Sequence, residues 1–472
     1  LGAADAAPFV MSESMTMSNN TVVILGFARQ GKALARHFAG RGLSVVVSDL
    51  RSPEALAADM AELAAWPIRY VLGEHPLSLL DDCDLLCLSG GVSADLPLVV
   101  EAQRRGIPVS NDAQEFIRQS PAPVLGITGS AGKTTTTALV GAILREAGFQ
   151  TWVGGNIGNP LIADLPHIAA TDRVVMELSS FQLEVMECSP HIAGVLNITP
   201  NHLDRHKTMA AYIAAKAHIV AYQRPEDVAV LGYDEPNARG LAEQTAAEVR
   251  YFSGVTDVET GAFLRGEALM LRREGQEREI CRRGEVHLRG FHNLVNTLAA
   301  IALSDAAGAS PEAMRRAIGA FTGVEHRLEV VRRWHEVTWI NDSIATAPER
   351  VLAALAAFDE PLVLLAGGRD KNLPWEAFAR EVKRRVRVLV LFGEAQALID
   401  GHVRRALAED AGPCVLEQIL YADTLEQAVS AAAQAARPGD VVLLSPGGTS
   451  FDAFRDFAER GERFRALVQA LP

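Results

Sequence analysis

Cysteine is scarce. Five residues (Cys83, Cys87, Cys188, Cys281, Cys414) are scattered through 472 positions, odd in number and without the spacing of a metal site. This excludes a disulfide-stapled secreted scaffold and fits a reducing compartment. Cys83 and Cys87 flank a strand-like run and read as small buried hydrophobes. Basic residues are also in deficit: 45 Lys and Arg stand against 58 Asp and Glu, a net charge of −13. Such a chain is a poor nucleic-acid binder, and phosphorylated or acidic substrates would need local basic clusters. Long apolar runs are missing too, since none approaches the ~18 residues of a membrane span. Residues 1–20 lack a basic start and a long apolar stretch, so they read as a disordered tail rather than a signal peptide. The expected location is the cytoplasm.

What the chain does have is 49% hydrophobic and 22% charged residues, the balance of a globular protein with well-filled cores. Its length implies two to four domains. The most informative stretch is Thr128-Gly-Ser-Ala-Gly-Lys-Thr-Thr-Thr136. It follows an apolar run, Pro123–Ile127, and precedes Thr137–Glu146, whose apolar residues recur at helical spacing. Strand, small-residue loop, Lys-Thr and helix form the setting of a phosphate-binding loop. Gly129 and Gly132 let backbone N–H groups turn toward phosphate oxygens, Lys133 neutralises the β- and γ-phosphates, and Thr134 offers a hydroxyl to Mg²⁺. The spacing departs from G-x-x-x-x-G-K-[ST], because Ile127 stands where the first glycine would fall and Gly126 lies one residue upstream.

Upstream, Thr21–Leu25, the turn Gly26-Phe-Ala-Arg-Gln-Gly31, a helical segment and Ser44–Ser48 ending on Asp49 form a β-α-β unit. The glycine pattern is G-x-x-x-x-G rather than G-x-G-x-x-G, which favours a nucleotide other than NAD. A further strand, Asp84–Ser89, ends in Gly90-Gly91. Downstream of the loop, Arg173–Leu178 is a buried strand carrying Glu177, and His191–Ile198 leads to Thr199-Pro-Asn-His-Leu-Asp-Arg-His206. An acid on one strand end and the His202/Asp204 cluster on the next suit Mg²⁺ beside bound phosphates. Lys216 lies in the apolar helix Tyr212–Val220. The pattern alone favours a lysine reaching out to the surface; buried, its pKa would be depressed, and it would act as a nucleophile or be masked by carbon dioxide.

Residues 245–290 read as β-rich with short strands and turns. A helix then begins near Gly290 and carries His292, Asn293 and Asn296, more polar groups than capping explains. In the last third, strands at 337–340, 361–366, 388–392 and 440–444 each end in Gly, Ser or charged residues, so a parallel sheet with a ligand-binding crest is expected.

In order, Gly129–Thr135, Asn156-Ile-Gly158, Glu177-Leu-Ser-Ser-Phe-Gln182, Asn197-Ile-Thr-Pro-Asn-His-Leu-Asp204, His292-Asn293, Glu325-His-Arg327 and Asn341-Asp-Ser343 resemble the Mur ligases of peptidoglycan synthesis. The resemblance covers everything after the tail. Glu177–Gln182 and Ser445–Phe457 favour the branch that adds glutamate to UDP-N-acetylmuramoyl-L-alanine.

The resemblance implies an α/β chain of three domains. Residues 21–112 would be a Rossmann-like domain for the UDP substrate, 113–322 a central P-loop ATPase-like domain with a mostly parallel sheet, and 323–472 a Rossmann-like glutamate domain. It further implies an acyl-phosphate route, ATP and two Mg²⁺ sites, a monomer, and closure of the third domain over the nucleotide. Gly129, Ser130, Ala131, Gly132, Lys133, Thr134 and Thr135 would hold the ATP phosphates. Asn293, Asn296, Arg327 and Asp342 would complete the ATP site. Thr134 and Glu177 would serve one Mg²⁺, and His202 with a carbamylated Lys216 the second. Gly26, Phe27, Ala28, Asp49, Arg51, Gly90 and Gly91 match the uridine-nucleotide site, and Asn156 its sugar side. Thr346, Lys371, Ser450 and Phe457 match the glutamate pocket. Ile344 and Ala347 depart from the family, which has Lys and Asn there. Other readings are the same reaction with L-glutamate, a folylpolyglutamate synthase-like ligase, an NAD-dependent oxidoreductase on the first domain, or a non-catalytic nucleotide-binding regulator.

Overall fold

The computed structural model describes residues 21–158, 160–201, 203–409 and 412–472; the N-terminal tail and His202 lie outside them. Three sheets carry the chain. In the first, Thr21–Leu25 is central. Ser44–Asp49 and then Ile68–Leu72 lie on one side, Leu85–Leu88 and then Val109–Asn111 on the other, all parallel. Val22, Val23, Ile24 and Leu25 are at most 1% exposed, as a continuous aliphatic strand covered on both faces must be. The two glycines of the first turn touch each other. Gly26 has φ +85, and a Cβ on Gly31 would overlap the Gly26 carbonyl, so this spacing lets the helix Arg29–Ala39 seat directly on the turn.

The second sheet has nine strands in the order 276–282, 268–273, 261–265, 248–253, 228–232, 192–195, 124–128, 173–177, 151–155. The run from Gly261–Arg265 to Thr151–Gly155 is parallel, and Ala268–Arg273 pairs antiparallel with Gly261–Arg265. Thr151–Gly155 and Val228–Gly232 were not apparent as strands in the sequence. One hydrophobic cluster runs from Phe27 and Phe116 through Leu161 to Met176 and Tyr212. The described residues from 21 to 281, with 295–316, accordingly form one compact body.

Residues 282–294 and 317–472 form a second body. Its six strands run in the order 329–334, 337–341, 441–447, 362–367, 386–392, 418–422. All the pairings are parallel except that of Glu329–Trp334 with Val337–Asn341, which is antiparallel. The four strands expected from the sequence pair in parallel, and Glu329–Trp334 adds an antiparallel edge to them. Half-exposed Glu329–Trp334 mixes charged and apolar residues, a composition that an antiparallel edge tolerates and a covered parallel strand does not.

Candidate active site

The phosphate loop leaves the strand Val124–Thr128 between two parallel neighbours. Ile127 sits opposite Glu177 on one side, and Thr128 opposite Val195 on the other. The strand order reverses about this point, which is where open α/β sheets form their binding crevice. The helix begins at Lys133 rather than near Thr137, so Lys133 to Thr136 form its first turn. Its N-cap is Gly132 with φ +86 and no side-chain cap. Side chains cap other helices, among them those led by Ser52, Asn111, Ser179, Thr208, Glu235, Thr424 and Asp456. An uncapped first turn presents N–H donors at the positive end of the helix dipole, the requirement of an anion site. A Cβ on Gly132 would collide with Asn296 Oδ1, so glycine is needed for space as well as for conformation.

Around the loop the polar groups interlock. Thr134 Oγ1 donates to Glu177 Oε2 at 2.8 Å, and Asn156 Nδ2 donates to Oε1 at 2.9 Å. Glu177 is 3% exposed, and its two partners offset the cost of burying it. Asn156 is thus tied to the acid beside the phosphate loop. The motif after Glu177 has a local cause: Ser179 and Gln182 form a capping box that opens the short helix Ser180–Leu183. Lys133 Nζ donates to the Gly129 carbonyl at 2.8 Å. This set of carboxylate and hydroxyl oxygens beside a cradle for phosphate fits a hard divalent ion such as Mg²⁺.

Lys216 overturns the surface reading. It is 1% exposed, and its Nζ donates to Thr128 Oγ1 at 3.1 Å and to the Gly129 carbonyl at 3.2 Å. It also lies 4.9 Å from the centroid of the Tyr212 ring. Burial, then the nearby Lys133, push its pKa well below the ordinary lysine value, with Glu177 opposing. The apolar helix that hid this lysine in the sequence is the element that desolvates it. A neutral amine is the form that can react with carbon dioxide.

Two contributors were missed by the sequence reading. The side chain of Asn197 clamps the loop, accepting from Ala131 N at 2.9 Å and donating to its carbonyl at 3.1 Å. Its own carbonyl accepts from Ser130 N at 2.9 Å. Tyr212 Oη meets Ser130 Oγ at 3.1 Å, and Ser130 Oγ donates to the Thr199 carbonyl at 2.9 Å. A strand-end Asn one register step from the loop was the available signal.

In the first sheet, Gly26, Phe27, Asp49, Arg51, Gly90 and Gly91 gather at the carboxyl ends of neighbouring strands. Asp49 accepts from Phe27 N at 2.7 Å and from the Arg51 fork at 2.8 and 2.9 Å. Those bonds hold its carboxyl well below the usual range despite burial. Gly90 N donates to Gln30 Oε1 at 2.7 Å, and Arg29 reaches the Gly158 carbonyl at 2.7 Å.

In the second body, Asp342 is 5% exposed and accepts from Ser445 Oγ at 2.8 Å. Burial pushes its pKa up to about 7, against the hydrogen bond from Ser445 and the charges of Arg327 and Arg350. Arg327 is exposed, between His326 at φ +61 and Leu328 at φ +44. Arg460, also missed, is fully buried. It donates to Ser343 Oγ at 3.0 Å, the Ser343 carbonyl at 2.9 Å and the Gly448 carbonyl at 3.2 Å. It thereby ties the Asn341–Ser343 turn to the loop leading to buried Ser450, and Ser343 Oγ bonds the Phe457 carbonyl at 2.8 Å. Thr346 and Lys371 lie at the same crest, while Asn293 Nδ2 donates to the Arg289 carbonyl at 2.7 Å.

Comparison with known proteins agrees across most of the chain. Residues 20–111 match the family "Mur ligase MurD-like, N-terminal domain", 127–304 the "Mur ligase middle domain", and 326–448 the "Mur ligase, glutamate ligase domain". The chain is 44% identical to the UDP-N-acetylmuramoylalanine--D-glutamate ligase of Symbiobacterium thermophilum, covering 95% of this chain and 97% of that one. It is 40% identical to the enzyme of the same name from Pelotomaculum thermopropionicum, with the same coverage. Among solved structures, MurF from Acinetobacter baumannii shares the fold at a TM-score of 0.57 and 18% identity, over 94% of this chain and 93% of that one.

Proposed function

We infer that this chain, which belongs to the Mur ligase family, is an ATP-dependent ligase that joins D-glutamate to UDP-N-acetylmuramoyl-L-alanine in peptidoglycan precursor synthesis. The observation that carries the chemistry is the uncapped helix start at Gly132–Lys133 beside buried Glu177 and buried Lys216. Family membership sets aside the oxidoreductase reading of the first sheet.

A free carboxylate is a poor acylating agent, so the substrate carboxylate is activated by the γ-phosphate of ATP. It attacks that phosphorus, giving an acyl phosphate and ADP. The amino group of glutamate then attacks the acyl carbon, and inorganic phosphate leaves. The loop N–H groups and Lys133 orient and neutralise the phosphates. Thr134 and Glu177 would hold one Mg²⁺, and carbamylated Lys216 with His202 a second; the ions supply charge neutralisation on the phosphate oxygens. Asn293, Asn296, Arg327 and Asp342 bind the nucleotide. Gly26, Phe27, Ala28, Asp49, Arg51, Gly90, Gly91 and Asn156 bind the UDP substrate, and Thr346, Lys371, Ser450 and Phe457 the amino acid. Residues 21–112, 113–322 and 323–472 divide these tasks, in a monomer of the cytoplasm.

The test is coupled ADP release with UDP-N-acetylmuramoyl-L-alanine and either glutamate enantiomer. Turnover that needs the UDP substrate and prefers D-glutamate is expected. Turnover with L-glutamate alone would reassign the stereochemistry, and none with either enantiomer would sink the reading.

A further inference from the structure

The crest of the third sheet holds two cations that form no ion pair among the described residues. Lys371 follows Gly367-Gly-Arg-Asp370 at a strand end. Its neighbour Asp370 is committed elsewhere, accepting from Trp375 Nε1 at 3.0 Å and Asn372 N at 2.9 Å. Arg350 lies on the helix Pro348–Leu355, and its Nη1 donates to the Ile344 carbonyl at 3.3 Å. Among the described residues neither side chain forms an ion pair, whereas Arg369 at the same crest is forked onto Glu394 at 2.8 and 2.9 Å. The two cations are close enough that Arg350 lowers the pKa of Lys371, after burial. The acid whose field Arg350 also meets, Asp342, is buried and turned to Ser445.

Each of these terms is unfavourable to the protein alone. The charge of Arg350 disfavours that of Lys371, which is also partly desolvated, and Arg350 sits in the first turn of a helix, where the dipole repels a cation. A guanidinium forks onto a carboxylate, whereas an ammonium binds one as a point charge. Two unanswered cations of these two kinds match a ligand with two carboxylates.

We propose that Arg350 is a specificity-determining residue that takes one carboxylate of the incoming amino acid while Lys371 takes the other, so that the pocket demands a dicarboxylic amino acid. This rests on the ligase reading above. The nucleophilic amine, bonded to neither cation, stays free to attack.

Arg350→Ala and Arg350→Lys, each checked by thermal melting against the parent, are assayed by ADP release with D-glutamate and with D-glutamine. D-glutamine keeps the size and loses one charge. Loss of a charge-assisted hydrogen bond predicts a rise of about tenfold or more in the glutamate KM of Arg350→Ala. Its glutamate-to-glutamine ratio of kcat/KM should fall by a similar factor, with the KM for ATP unchanged and partial recovery in Arg350→Lys. An unaltered glutamate KM and unaltered ratio in Arg350→Ala, with the parent enzyme active, would overturn this assignment alone. A parent enzyme without glutamate-dependent ADP release would overturn the ligase reading and this with it.

Discussion

Asn197 does for the phosphate loop what a disulfide does for a secreted loop, using a carboxamide. Its two hydrogen bonds to Ala131 and the backbone bond to Ser130 fix two consecutive loop residues against the neighbouring strand. In Asn197→Ala both side-chain bonds go, at about 1 kcal/mol each. The expected result is a rise of about tenfold in the KM for ATP with the glutamate KM unchanged, read by steady-state kinetics. A second residue, Asp342, makes stability depend on pH. Its pKa is pushed up from an ordinary 3.8 to about 7 in the folded protein. Between those values the native state holds a proton that the unfolded chain has released, so this contribution is present at low pH and lost as pH rises. Asp342→Asn removes that dependence. Urea unfolding should show the variant gaining about 2 kcal/mol on the parent between pH 5 and pH 8, while losing ligase activity.

Among the elements, the helix Lys133–Glu146 has its beginning dictated by one glycine. Gly132→Ala forces a side chain into a left-handed conformation and against Asn296. A loss of about 1–3 kcal/mol in stability is expected, together with weaker nucleotide binding, by melting and by ATP titration. Most strands were legible because they are unbroken aliphatic runs, as in Val22–Leu25 and Val441–Leu444. Of those that were not, Val228–Gly232 is itself such a run, while two others had different signatures. Thr151–Gly155 ends in two glycines, and Gln418–Ala422 is a half-exposed edge strand. The site showed the same division. Lys133, Thr134 and Glu177 announce themselves by sequence context. Lys216 could not, because its burial is set by strands distant in sequence, and Arg460 resembles any helical surface arginine until its helix is docked.

For the whole molecule, the two compact bodies differ in self-sufficiency. The six-stranded sheet of the second body carries one buried layer on each face, the first including Trp375, Phe378 and Leu389, the second Trp339, Phe464 and Val442. Both layers are built from residues after 317. A fragment of residues 317–472 is therefore expected to fold alone and melt cooperatively by circular dichroism; a gradual, non-cooperative signal would show that residues 282–294 are needed.

The register around the phosphate loop also governs which changes of length the chain can accept. Ile127 faces Glu177 and Thr128 faces Val195 across adjacent strands. Deleting one residue from Arg173–Glu177 or Ile192–Val195 would draw the following segment back by about 3.3 Å and turn every later side chain to the opposite face. Glu177 would leave Thr134, and Asn197 would leave Ala131. Insertions and deletions are thus barred from the strands that feed this crevice, and the turns at the far ends of the same strands are where the chain can lengthen without touching the chemistry.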